Sequence, residues 1–120
     1  MRAEIKNISS DDYPVTRTGL PFDPRSAWVI VEAEIGPKDG KGSDIFFFYV
    51  CTAAYLSEEL ESAGSRFGRH LLIMNEFNWD HVVSVIEKLV SSFEEPDWRS
   101  LAEKIARYAQ WEFEDYQAEL

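Results

Sequence analysis

The fold is decided by Ser26-Ala27-Trp28-Val29-Ile30-Val31-Glu32-Ala33-Glu34-Ile35, then Gly36-Pro37-Lys38-Asp39-Gly40-Lys41-Gly42, then Ser43-Asp44-Ile45-Phe46-Phe47-Phe48-Tyr49-Val50-Cys51. In the first segment Val29, Val31, Ala33 and Ile35 alternate with Trp28, Ile30, Glu32 and Glu34. That period of two belongs to a strand with one buried face. The middle segment carries Gly36, Pro37, Gly40 and Gly42, the composition of a hairpin turn. The third is nearly all apolar, as in a central strand covered on both faces. Together they predict an antiparallel hairpin at the heart of a sheet.

Outward from the hairpin, Ala3 and Ile5 alternate with Glu4 and Lys6, which predicts a further strand over 2–8. Ser9 to Arg25 contains Pro14, Pro21, Pro24 and Gly19 and reads as loop or irregular edge. Thr52 is placed to cap a short helix through Glu61, with Gly64 closing it. Arg69 to Met74 is a fourth strand. Asn78 can cap a helix over 79–92, whose stripe is Trp79, Val82, Val83, Ile86, Leu89, Val90 and Phe93. Asp97 can cap a last, long helix over 98–117, with Trp98, Leu101, Ala102, Ile105, Tyr108, Ala109, Phe113 and Tyr116 as its stripe. The order β-β-β-α-β-α-α predicts one α+β domain over 1–120. Its mostly antiparallel sheet of about four strands is packed with two to three helices.

Composition narrows the function. With 120 residues, 45% of them hydrophobic, the chain can bury a core without metals or disulfides. Its one cysteine, Cys51, closes an apolar run and reads as a small buried hydrophobe. No apolar run approaches the roughly 20 residues of a membrane span, and Met1 to Lys6 lacks the apolar stretch of a signal peptide. A cytoplasmic location is therefore expected. The net charge of -10 repels phosphate backbones and anionic headgroups. It favours a basic protein partner over nucleic acid or membrane.

No catalytic pattern emerges, and no cofactor is expected. Gly40-Lys41-Gly42-Ser43 lacks the four-residue gap of a phosphate-binding loop, and a hairpin explains its glycines. His70, Glu76, Asp80 and His81 are the nearest thing to a metal set, but their spacing puts no two ligands on one helical face. The pairs Asp11-Asp12, Glu58-Glu59, Glu94-Glu95 and Glu114-Asp115 fall in loops or on polar faces, whereas a general acid calls for a buried carboxyl.

The last helix breaks its own pattern. At 100° per residue from Leu101, Glu112 falls at about 20°, inside the apolar stripe, and Trp111 near 280°, on the polar side. Trp111 either packs on intramolecular neighbours such as the loop from Ser9 to Arg25, the commoner case, or serves as an interface anchor with its acidic neighbours Glu114 and Asp115, while a structural partner holds Glu112 inward. A second candidate surface is the outer face of the hairpin, with Glu32 and Glu34 in alternation and Asp44 across the turn, against the commoner case in which acidic strand residues only face water.

Several stretches resemble the immunity protein 8 family of bacterial polymorphic toxin systems. They are Ile35-Gly36-Pro37, Gly42 through Thr52, Gly68-Arg69-His70-Leu71-Leu72-Ile73-Met74 and the Trp79-Asp80 helix start. The ending is the most specific: Trp98-x-x-Leu101-Ala102-Glu103-Lys104-Ile105, then Trp111-Glu112-Phe113-Glu114-Asp115-Tyr116. The opening Met1 to Lys6 also fits, and Ser9 to Arg25 matches least. The resemblance implies an antidote, not an enzyme, that binds a cognate toxin domain. The toxin is expected to be a basic nuclease, neutralised by cover of its active or substrate-binding surface. No contact residue is carried over from the family. The alternatives are an acidic nucleic-acid-mimicking inhibitor or regulatory protein-binding module, and an enzyme.

Overall fold

In the computed structural model, which describes residues 1–14 and 21–114, the hairpin lies inside a five-stranded sheet. The elements are β1 (Ala3–Ser9), β2 (Trp28–Pro37), β3 (Asp44–Thr52), α1 (Ala53–Ala63), β4 (Leu71–Met74), α2 (Trp79–Ser92), α3 (Trp98–Ile105) and β5 (Gln110–Trp111). The sheet order is β1-β2-β3-β4, and β5 also pairs with β3. Only β3 and β4 run parallel, because α1 carries the chain back between them.

Register fixes which side chains share a face. Val29, Val31, Ala33 and Ile35 oppose Val50, Phe48, Phe46 and Asp44. All of these except Asp44 are buried. A bulge between Ile5 and Asn7 in β1 keeps both Ile5 and Ile8 on this inner face, opposite Ile35 and Ala33. Val82, Ile86 and Val90 of α2 and Leu101, Ala102 and Ile105 of α3 complete the core over it. At its margin Tyr13 stacks on Trp79, with ring centroids 5.6 Å apart.

The opposite, outer face carries Trp28, Ile30, Glu32 and Glu34 across from Cys51, Tyr49, Phe47 and Ile45. α1 lies on this side, bringing Tyr55 within 5.8 Å of the Trp28 ring. The sheet is thus sandwiched unequally, with two helices inside and one short helix, free of buried residues, outside. The caps are Thr52, Asn78 and Asp97, whose side chains accept from the backbone of Tyr55, His81 and Ser100. Thr52 is fully buried and also accepts the Ala27 N–H at 3.1 Å.

The long C-terminal helix over 98–117 is corrected. α3 stops at Ile105, Ala106 to Ala109 form tight turns, and the chain enters β5. The cause lies in β3. The four residues of β4 pair only with Tyr49 to Thr52, so the rest of that edge would be left with unpaired backbone groups. β5 pairs with Phe46 and Phe47, and Glu112 N–H donates to the Ile45 carbonyl at 3.0 Å. Sheet completion outweighs the helical propensity of this segment. Two smaller differences follow from β4. It begins at Leu71 instead of Arg69, and His70 precedes it at φ 68°, outside the expected strand.

Candidate partner-binding surfaces

The residues singled out in the sequence separate into two places. At the inner rim, the Asp44 carboxylate accepts from the indole N–H of Trp98 at 2.7 Å and of Trp111 at 3.0 Å. Trp111 lies almost flat over Phe46, with centroids 6.3 Å apart and 10° between planes. Phe113 meets it edge-on at 5.9 Å. Trp111 is therefore half-buried in a hydrogen-bonded and stacked setting, not an indole exposed on the polar side of a helix. The helical-wheel expectation fails because residue 111 belongs to a strand.

Glu112 is corrected for the same reason. It is exposed, and its Oε1 accepts the Ile45 N–H at 2.9 Å, so the expected structural partner is a backbone amide at the surface. Glu114 forms an ion pair with Arg69 and lies 3.6 Å from His70 Nε2. His70 Nε2 in turn lies 3.2 Å from the Ala106 carbonyl oxygen. These contacts tie the start of β4 to the end of α3 and to the segment after β5. Between them runs an open groove of about 570 Å³, lined among others by Arg69, Trp98, Arg99, Trp111 and Glu114. Asp115 lies outside the described residues.

Glu32 and Glu34 are elsewhere. They stand on the outer face, between Ser9 and Phe47 and between Asn7 and Ile45 respectively. The expected grouping with Asp44 is corrected, since Asp44 opposes Ile35 and so belongs to the inner face. A hairpin turn brings residues close along the chain, but strand parity decides the side. Gln110 extends the Glu32–Phe47 row across β5, and its side chain accepts from the Tyr49 hydroxyl.

Two apolar residues on this side were not singled out. Phe67 is 97% exposed in the loop between α1 and β4, and Ile73 on β4 is 53% exposed. A signal for Phe67 was present: it lies between Gly64 and Gly68, in a segment with no period that could bury it. Ile73 carried no such signal, because burial of an apolar strand residue is the ordinary expectation.

Chemical groups elsewhere are held in ordinary settings. Cys51 is buried, and that burial raises its thiol pKa, which disfavours the reactive thiolate. Among the described residues no three His, Cys, Asp or Glu side chains converge as metal ligands. No helix among them is long and apolar enough to cross a membrane.

Comparison with known proteins identifies a family. The protein-family model described as Immunity protein 8 matches residues 3–116. No curated protein and no solved structure matches.

Proposed function

The chain belongs to the Immunity protein 8 family, and from that premise we propose that it binds and neutralises a cognate secreted bacterial toxin domain with a basic contact surface. Family membership makes it an immunity protein of a toxin system. The further steps rest on charge. A nuclease must present cations to hold a polyanion, and a chain of net charge -10 is repelled by nucleic acid but attracted to such a surface. By occupying that surface the antidote excludes the substrate and needs no turnover of its own. It acts in the cytoplasm, where a delivered toxin meets its target.

The observation that carries this reading is the family match from residue 3 to residue 116, joined to the acidic surplus. The test is co-expression of the toxin domain encoded beside this chain, with and without it. Growth restored by the antidote, with the toxin still produced, is the expected result. Growth arrest in both cases contradicts the proposal.

A further inference from the structure

Phe67 is held out into water by an ordered loop. Gly64 N–H closes α1 onto the Leu60 carbonyl at 2.8 Å, and Leu71 N–H donates to Gly68 at 3.2 Å. Between these ties Arg66 forms an ion pair with Glu59 and covers the Trp28 ring, 5.0 Å from its centroid. Trp28 belongs to the outer face, so the loop that carries Phe67 lies on that side of the sheet. Ile73 opposes Cys51 and is on the same side. Single exposed apolar side chains are ordinary on a protein surface, and only the groups around them can mark a contact.

The cations next to Phe67 in the chain, Arg66 and Arg69, are each paired with a carboxylate, while four other carboxylates of this side are not. Glu32 and Glu34 stand on the open sheet, flanked by the half-buried side chains of Phe47 and Ile45, while Glu58 and Glu61 project from α1. Among the described residues none of these four carboxylates is in a salt bridge, whereas Glu59 and Glu114 are matched by Arg66 and Arg69. The rim cluster differs in kind, because its acceptors and donors are spent on one another: Asp44 on two indoles, Glu112 on a strand amide.

Resting on the reading of the chain as a toxin antidote, we infer that the toxin docks on the α1 side of the sheet. Phe67 enters an apolar cleft of the partner, and Glu32, Glu34, Glu58 and Glu61 face its lysines and arginines. Trp111, Asp44 and Glu114 hold the fold together and leave the contact to the other side. The occupant is a cationic protein surface, because four unmatched carboxylates repel a second copy of this acidic chain.

The test uses the full chain, the purified toxin domain encoded beside it, and three variants: Phe67→Asp, the double Glu32→Lys/Glu34→Lys, and Trp111→Phe. Phe67→Asp should weaken binding by at least about tenfold with an unchanged melting temperature, since the ring contributes no packing to its own fold. The double lysine variant should lose a similar factor, mainly through slower association. Trp111→Phe should melt earlier yet bind as the wild type does. If the wild type binds and both outer-face variants bind within about twofold of it, this surface is wrong while the antidote reading stands. If the wild type binds no toxin, both fall. If Phe67→Asp alters only self-association, the side belongs to a second copy and the proposal is overturned.

Discussion

Asp44 receives two indole N–H groups, so the cost of losing it is set by what those donors would lack. In Asp44→Ala both are left without their acceptor, at roughly 2 kcal/mol by the usual cost of orphaning donors to a charged group. Asp44→Asn keeps one carbonyl oxygen and should cost less. Trp111→Ala removes a stacked ring from Phe46 and should also destabilise, by somewhat less than the about 3–5 kcal/mol of a fully buried Trp. Urea midpoints of the three variants check the order. Unchanged midpoints with lost toxin protection would instead make the rim a contact. Asp97 offers a pH test at the same scale. Hydrogen bonding to Ser100 N–H, at the start of α3, lowers its pKa. A carboxyl with a depressed folded pKa contributes stability that is present above its unfolded value, about 3.9, and lost as pH falls through the folded value. Asp97→Asn still caps the helix at neutral pH. Acid titration of both proteins should show a shallower loss of stability below about pH 4 in the variant; identical acid limbs would rule the linkage out.

At the scale of elements, the clearest written signals were those with strict period and a stop. Val29, Val31, Ala33 and Ile35 announced β2, and Asn78 with the Val82–Ile86–Val90 stripe announced α2. α3 had a cap at Asp97 but no glycine or proline between Ala106 and Gln110 to end it. Its end is set by a non-local need, the unpaired edge of β3, which no local window contains. That one miss displaced the angular positions of Trp111 and Glu112 and so the candidate site. Glu32 and Glu34 were legible because strand parity alone places them. For Phe67 the aperiodic stretch between Gly64 and Gly68 signals exposure but not the side of the sheet on which it falls. The hairpin supplies a further test through Gly36. A Cβ there would lie 2.0 Å from the Gly42 carbonyl oxygen, which is backbone and cannot turn aside. Gly36→Ala should push the turn off β2 and destabilise the protein by about 1–3 kcal/mol, the range for overpacking a close contact. A melting temperature equal to the wild type's would show that the turn yields freely.

Across the whole molecule the two sides of the sheet have different work. The inner side, under α2 and α3, holds the apolar core and the stacked, hydrogen-bonded rim. The outer side is thinly covered by α1 and carries Glu32, Glu34 and the exposed Phe67. A net charge of -10 spread over such a body should guide a cationic partner from beyond contact distance, and salt screens that guidance beyond about 8 Å at physiological ionic strength. The affinity itself can persist at high salt, because an apolar anchor is not screened. The association rate therefore separates charge steering from other modes of binding. Stopped-flow mixing of this chain with its toxin domain, from low salt to about 1 M, measures it directly, over conditions in which the screening length falls to about 3 Å. The association rate should drop by about two orders of magnitude, from the steered toward the unsteered range. A rate that stays constant across that span would contradict the account of an acidic antidote drawn onto a basic toxin surface.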